Sequence, residues 1–534
     1  MTEFKHMGER KGEKKKRRYR VHNSLVSYYL LIMFSFFTLF LTNQYSSARR
    51  DKFFLFLGLS GALVLFVTVA YLIDLGEKRA AGVRPAPFFT PISVTDVAFL
   101  IFYLGAAISA IFSPHAEETV MAFVGRNNGL LLLTAYMLVY LLITRFYIYK
   151  DYVIAVYLVF SCFIALLTVL NFFYIDPLGL LEGYSEKVAA DFGSTIGNKN
   201  TIASYMAMFT PISIMTIVMN EKLYMRLIAI FSLIFAYAGA LSANSSSVIL
   251  GLMIAIPVMA IFASRRIEYL RRFALAMTVM FISGKALRLF SYIMDGESKG
   301  FEFIQHFLIY DKLTYIPIAV FAVLFLVLSL LSSKTDKYPK NLITAILIFV
   351  TAAGALSLIS GMLYFTLVDN DTNLGSFEKL LRFNDKWGTH RGFMWIRSIQ
   401  EYGKFDLFKL IFGYGPDMLY YVLQPYFTEL ARRFGDGSTD CAHNEFINYL
   451  VTQGALGLLS YLTVIGAVIT RAVRRAKENP LTLVFISAIV CYAAQSAVNI
   501  YQPITTPLFM IFIAMAEAMN RSAALKKSEE AGSY

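Results

Sequence analysis

The sequence predicts an all-α, polytopic integral membrane protein of about twelve to fourteen transmembrane helices with a small extracytoplasmic helical cap. Three observations carry that prediction. Of 534 residues, 57% are hydrophobic and only 16% charged, where a soluble domain carries about a quarter charged residues. Apolar runs near the roughly 20 residues needed to cross a bilayer recur from Ser24 to Met519. Mean hydropathy is +0.58, with 15% aromatic residues. The composition excludes a soluble enzyme, a secreted disulfide scaffold and a disordered chain. The net charge of +13 reads as topology rather than a nucleic-acid footprint, because Lys and Arg cluster between apolar runs.

The stretch Lys11 to Arg20, KGEKKKRRYR, just precedes the first apolar run, so residues 1–23 are expected to form a basic cytoplasmic tail. The run from Ser24 to Thr42 is longer than a signal-peptide core and leads into Gln44-Tyr45-Ser46-Ser47 without a small-x-small cleavage pattern, so it reads as the first span. Further spans are expected near 53–73, 95–113, 129–146, 152–172, 200–219, 227–242, 247–264, 273–292, 315–332, 342–367, 444–470, 481–499 and 508–520. An even number returns the tail 521–534 to the cytoplasm. Glu77-Lys78-Arg79, Arg265-Arg266, Arg271-Arg272, Lys334 to Lys340, Arg471 to Lys477 and Lys526-Lys527 then share that side, while Arg49-Arg50-Lys52 falls on the other. Cys162 and Cys491 lie in apolar runs and Cys441 just before one, so no disulfide framework follows.

Two outer segments interrupt the transmembrane region. Within residues 24–367, the loop 174–199 carries Asp176-Pro177-Leu178-Gly179 and ends in the turn-rich Gly193 to Asn200. Residues 368–443, before the C-terminal spans in 444–520, are too many for a structureless connection and should form a folded cap. There, apolar residues at helical spacing predict a helix from Arg391 to Leu410, stopped by a turn at Gly413-Tyr414-Gly415-Pro416 and followed by a second helix, both lying on the membrane.

Three patches carry candidate chemistry. His443-Asn444 is followed by nine residues, Gly454, two residues and Gly457. A histidine beneath a cap suits acid, base or donor work, and the two glycines suit close helix approach; an Asn cap with ordinary small-residue packing explains the same pattern. His390-Arg391-Gly392 with Trp395 puts a guanidinium at a helix start, a natural anion site, or equally an interfacial anchor. Gly193 to Asn200, including Asn198 and Asn200, suits backbone approach to a ligand or plain helix capping. Arg126 opens the fourth span, and Lys285 and Arg288 share a face of the ninth, each either functional or snorkelling. Asp369-Asn370-Asp371 reads as an acidic loop rather than a metal site, and no metal or other cofactor is expected.

Taken in order, these patches resemble the O-antigen ligase and polymerase family of membrane glycosyltransferases. His443-Asn444, nine residues, then Gly454-Ala455-Leu456-Gly457 is similar to the ligase signature, and Arg391 to Trp395 followed by Gly413-Tyr414-Gly415 resembles the family's C-terminal core. Gly193 to Ala203 and Arg126-Asn127-Asn128-Gly129 resemble upstream stretches, so the resemblance covers residues 120 to 500. Many members carry Ser-Arg where this chain has Ser245-Ser246-Ser247, so an arginine credited with phosphate binding is replaced by Ser246. The resemblance implies inverting, metal-independent transfer of glycan from an undecaprenyl-diphosphate donor to an acceptor hydroxyl on a glycan or lipid, at the outer face of the bacterial cytoplasmic membrane. It implies catalytic roles for His443 and Arg391, and substrate binding by Arg126, Asn198, Asn200, Lys285, Arg288 and Asn444. The partners are then the donor, the acceptor, the lipid bilayer and other polysaccharide-assembly proteins, with no nucleic acid.

Ligase, polymerase and protein O-oligosaccharyltransferase chemistry all fit this pattern. A polysaccharide flippase or secondary transporter would place its charges near the bilayer midplane, whereas these candidates gather at one face. If His443 serves as the base, activity is expected to fall as pH drops through the ordinary histidine range.

Overall fold

The computed structural model describes residues 21–82, 92–295, 297–331, 338–435 and 437–530. The basic stretch Lys11 to Arg20, Asp436 and most of the cluster Lys334 to Lys340 lie outside the described residues.

The chain opens with α1 (21–34) and α2 (Phe36–Leu39), one apolar rod broken at Ser35, whose hydroxyl donates to the Leu31 carbonyl at 2.6 Å. Then come α3 (Ala48–Ala80) and α4 (Val94–Ile111). A reciprocal capping box starts α4: Ser93 Oγ accepts the Asp96 N–H, and the Asp96 carboxylate accepts the Ser93 N–H at 2.8 Å. The short α5 (Ala116–Met121) leads to α6 (Leu130–Phe146) and α7 (Asp151–Phe172). After α8 (Glu186–Ala189), a two-residue antiparallel ladder, β1 (Phe192–Gly193) with β2 (Gly197–Asn198), folds the 174–199 loop onto the mouth of α9 (Lys199–Met219).

The apolar window of α9 is wholly buried, so this helix is the axis of the bundle, enclosed by α7, α10 (Leu223–Ser242), α11 (Ser246–Ala263), α12 (Ile267–Ile293) and α22 (Thr482–Ser496). Next come α13 (Phe303–Tyr310), α14 (Tyr315–Leu331) and α15 (Lys340–Leu367), the last with no buried residue. The 368–443 segment holds α16 (Glu378–Leu381), α17 (Trp387–Tyr402), α18 (Leu407–Phe412), α19 (Leu419–Leu423) and α20 (Phe427–Phe434). The chain finishes with α21 (Glu445–Arg474), α22 and α23 (Thr506–Glu530).

Every span expected from hydropathy falls on a helix. Among the described residues, eleven helices are long and apolar enough to cross a membrane; α6 and α22 are shorter apolar helices, and α23 is apolar in its first half. Polar pairs lock the last helix into the bundle. The fully buried Glu517 carboxylate accepts from Arg471 at 2.5 Å, and Asp96 pairs with Arg521, so each buried charge has an opposite one beside it. Cys162, Cys441 and Cys491 are free and buried.

Two local expectations are corrected. The helix expected from Arg391 to Leu410 is two helices: α17 ends at Tyr402, and the Asp406 carboxylate caps α18 by accepting the Lys409 N–H at 3.0 Å. The glycine pair of α21 admits a neighbouring helix at one position only, where the α18 backbone at Ile411 lies on Gly454. Gly454 has φ +71° and kinks the helix, while a Cβ on Gly457 would meet the Gln453 side chain of the same helix.

Candidate active site at the His443 turn

The kink at Gly454 is where the site is built. A left-handed residue in mid-helix frees carbonyls of the preceding turn, and two of them are taken by the glycine loop after α18. The N–H of Tyr414 donates to the Val451 carbonyl at 3.0 Å and that of Gly415 to the Thr452 carbonyl at 2.9 Å. Backbone lies directly on backbone there: a Cβ on Gly413 would come 2.3 Å from the Gln453 nitrogen, and one on Gly454 would come 2.2 Å from the Ile411 carbonyl oxygen. The Gly-Tyr-Gly stop signal thus docks the 368–443 segment onto the transmembrane helix that begins just after His443.

That docking brings Asp417 against the loop before α6. Its carboxylate oxygen accepts the main-chain N–H groups of Arg126 at 2.6 Å and Asn128 at 3.0 Å. Burial pushes the Asp417 carboxyl up to about 7, against the lowering effect of those two donors. The Arg126 side chain then reaches Asp440, with Nε at 2.9 Å and Nη2 at 2.8 Å from the same oxygen. Burial works against the Asp440 charge, yet the guanidiniums of Arg126 and Arg49 hold its carboxyl below the ordinary range; Arg49 lies 3.6 Å away.

Arg391 arrives from the other side. Gly388, Thr389 and His390 are all left-handed, so the regular part of α17 begins at Arg391, at the helix start foreseen for it. Trp395, one turn on, donates its indole N–H to the Ala442 carbonyl at 2.8 Å, tying α17 to the residue before His443. Arg391 has no ion-pair or hydrogen-bond partner among the described residues, and its half-buried guanidinium is lowered by burial, with Glu302 among the acids that offset this. Glu302 is itself paired with Lys199 at 3.6 Å.

His443 is within reach of the charges of both arginines, has φ +49° and is half-buried, its Nδ1 without a hydrogen-bond partner. Burial, then the charges of Arg126 and Arg391, push it down to about 3, against the pull of Asp440. The imidazole is therefore neutral at physiological pH, with a ring nitrogen uncommitted.

The other expected residues fall into two groups. Asn444 and Asn198 are helix caps: Asn444 Oδ1 accepts the N–H groups of Phe446 and Ile447, both at 3.0 Å, and Asn198 Oδ1 accepts that of Asn200 at 3.0 Å. Asn200 accepts the Ser245 hydroxyl at 2.9 Å in a polar layer that includes Asn499, Ser204 and Ser247. Ser246 donates to Glu302 at 3.2 Å, so the Asn198–Asn200 mouth and the Arg391 side meet at Glu302. Lys285 and Arg288 are not brought to His443. Lys285 donates to the Ile309 and Asp311 carbonyls at 2.9 and 2.8 Å, and Arg288 to that of Tyr310 at 3.3 Å, closing the C-terminal end of α13. Arg382 and Arg433 are likewise engaged, with the Thr372 carbonyl (2.8 Å) and the Asp385 carboxylate (2.7 Å).

Sequence reading missed Asp417, Asp440, Arg49 and Asn448, whose side-chain oxygen accepts the Ala442 N–H at 3.1 Å and whose amide donates to Tyr501 Oη at 2.9 Å. Arg49 alone left a signal, as part of the cluster on the unexpected side. No group of three or more His, Cys, Asp or Glu among the described residues is placed to hold a metal ion.

A family model described as O-antigen ligase matches residues 306–462, which span the cap segment, His443 and the kinked helix. No curated protein matches the chain.

Proposed function

We propose, for a chain that belongs to the O-antigen ligase family through residues 306–462, that it transfers or polymerises glycan from an undecaprenyl-diphosphate-linked donor onto an acceptor hydroxyl, at the outer face of the bacterial cytoplasmic membrane. The family match and the apolar helices support a membrane protein of glycan-transferring type. One observation supports donor and acceptor chemistry there: an uncharged His443 at the mouth of a spanning helix, under the charges of Arg126 and Arg391.

Glycosidic cleavage from a diphosphate builds negative charge on the leaving phosphate, and fixed guanidiniums in a water-poor site stabilise such charge without reorganising. Arg49, Arg126 and Arg391 outnumber the Asp440 carboxylate that two of them share, while Glu302 shares Lys199 with Asp191 and burial holds the Asp417 carboxyl up to about 7. A diphosphate diester carries one negative charge on each phosphate, and an excess of guanidinium suits it. In this reading the arginines take the part a metal ion plays in other diphosphate sites. Attack of the acceptor hydroxyl from the face opposite the leaving group inverts the anomeric centre, and His443 is the group that takes the hydroxyl proton. Apolar surface between the spans holds the prenyl tail, and 368–443 covers the sugars.

The test is glycan transfer by purified protein in lipid, from a matched undecaprenyl-diphosphate glycan to glycan, lipid and protein acceptors. Product with wild type and none with His443→Ala supports the reading, and the acceptor used separates polymerase, ligase and protein O-glycosylation. Transfer that is independent of the diphosphate sinks it.

A further inference from the structure

Arg49 stands where two rules of charge placement argue against it. It lies in the first turn of α3, where the free N–H groups already present positive partial charge, and it belongs to the Lys/Arg cluster that breaks the inside bias. Its neighbours have local explanations. The Lys52 ammonium donates to the Phe37 and Thr38 carbonyls at 2.7 and 2.8 Å, at the end of α2, and Arg50 lies over the Phe123 ring at 5.4 Å. Arg49 has one ionic partner among the described residues, the Asp440 carboxylate at 3.6 Å, too far for a hydrogen bond, and its side chain is 37% exposed. Asp440 gives one oxygen to both Arg126 donors and turns the other toward Arg49. Two guanidiniums from segments far apart in sequence therefore face each other across one carboxylate, three residues before His443.

We propose that Arg49 is a phosphate ligand for the lipid-linked donor, sharing one phosphate with Arg126, while Asp440 holds the two arginines in register until that phosphate takes its place beside Arg49. This rests on the diphosphate reading above. It gives the outward cluster a reason to exist: the charge that topology disfavours is kept for an anion delivered at that face.

The test uses full-length protein in nanodiscs with sugar-free undecaprenyl diphosphate as the probe and undecaprenol as the uncharged control. Arg49→Gln is expected to bind the probe at least tenfold more weakly, with a shallower salt dependence and unchanged thermal stability, Arg49→Lys to lose only part of that affinity, and Arg50→Gln to bind as wild type. Equal affinity of wild type and Arg49→Gln overturns the proposal. So does a loss shared by Arg50→Gln, which would mark general attraction of the cluster. If Arg49→Gln fails to fold, a wild-type affinity and salt slope in Arg49→Lys overturn it and a partial loss in both supports it. Wild type that prefers the diphosphate no more than undecaprenol fails the diphosphate reading itself, and is thereby told apart from a failure of Arg49 alone.

Discussion

The carboxylate of Asp417 accepts the main-chain N–H of Arg126 at 2.6 Å, joining a residue of the 368–443 segment to one nearly three hundred positions earlier. The contact leaves no room for a side chain on Gly125, whose Cβ would come 2.6 Å from an Asp417 carboxylate oxygen. The guanidinium that reaches Asp440 is thus aimed by its own backbone. Cap docking and arginine placement are one event, and a change to either should be felt at His443.

Asp417 should report on that docking through pH. Its folded value, about 7, lies above the ordinary 3.8, so its contribution to stability is full below about 3.8 and is lost as pH rises through about 7. Asp417→Asn keeps an oxygen for the two N–H donors and does not titrate. Melting temperature measured across pH 4 to 8 should show wild type losing stability relative to Asp417→Asn as pH rises; parallel curves would refute this. Asp417→Ala leaves two buried N–H groups unpaired and should cost about 1–3 kcal/mol for each.

Gly454→Ala should be among the most damaging single-methyl changes in the chain. It places a Cβ 2.2 Å from the Ile411 carbonyl and strains a left-handed residue, which alone costs about 1–3 kcal/mol. Straightening α21 to relieve this expels the Gly413–Gly415 loop. Gly466, in the same helix with open space around it, is the control: Gly466→Ala should be neutral or slightly stabilising by up to about 1 kcal/mol. Thermal melts of both variants, with transfer assays, decide the point, and equal melting temperatures would sink it.

The spans were legible because hydropathy over some 20 residues is a local signal; even the wholly buried α9 and α15, which has no buried residue, read alike. The site was legible where one residue type does one job at one place, as with Arg391 at a helix start or His443 beside its capping Asn444. It was not legible where function depends on partners distant in the chain. Lys285 and Arg288 look like intramembrane charge until α13 folds back to offer its carbonyls, and Asp440 looks like a polar loop residue until Arg126 arrives. Gly454 and Gly457 have the spacing of a helix contact, and only φ at Gly454 separates a kink from a stripe.

Sidedness is open to a direct check. From positive-inside bias we expect both termini in the cytoplasm and 368–443 outside. Ser438 and Glu478 are exposed and lie at opposite ends of α21, while the native cysteines are buried. A membrane-impermeant thiol reagent added to intact cells should label Ser438→Cys and leave Glu478→Cys unmodified. The reverse pattern would invert the topology and move the His443 cluster to the cytoplasmic face.

Arg391→Lys tests whether a fork of donors is needed or only a charge. With no carboxylate to hold it, the side chain is free to engage a phosphate bidentately, which an ammonium cannot do. Losing one such preorganised donor typically costs about 10²–10³ in turnover. Arg391→Lys and Arg391→Ala should both fall by that order in kcat with expression and melting temperature near wild type; turnover within a few fold of wild type for either would remove Arg391 from the chemistry.

His443 corrects the simplest pH expectation and replaces it with a sharper one. With the ring pushed down to about 3, largely by burial and then by Arg126 and Arg391, the free protein holds a neutral histidine throughout the range where histidines ordinarily titrate. Activity limited by the free protein should therefore not decline as pH drops from 7 to 5. Once a diphosphate lies against the arginines its two negative charges offset theirs, and the imidazole's affinity for a proton rises toward the ordinary value; the base is strengthened by the substrate that needs it. Because kcat/KM reports groups in the free protein and kcat those in the bound complex, kcat/KM for the donor should be flat from pH 7 to 5 while kcat falls on the acid side. His443→Ala should keep donor binding and lose both profiles along with turnover, since the phosphates are held by arginines rather than by the ring. An acid limb of equal midpoint in kcat and kcat/KM would show that donor charge does not reach the histidine. A folded His443→Ala protein that still transfers glycan would show that another group takes the proton.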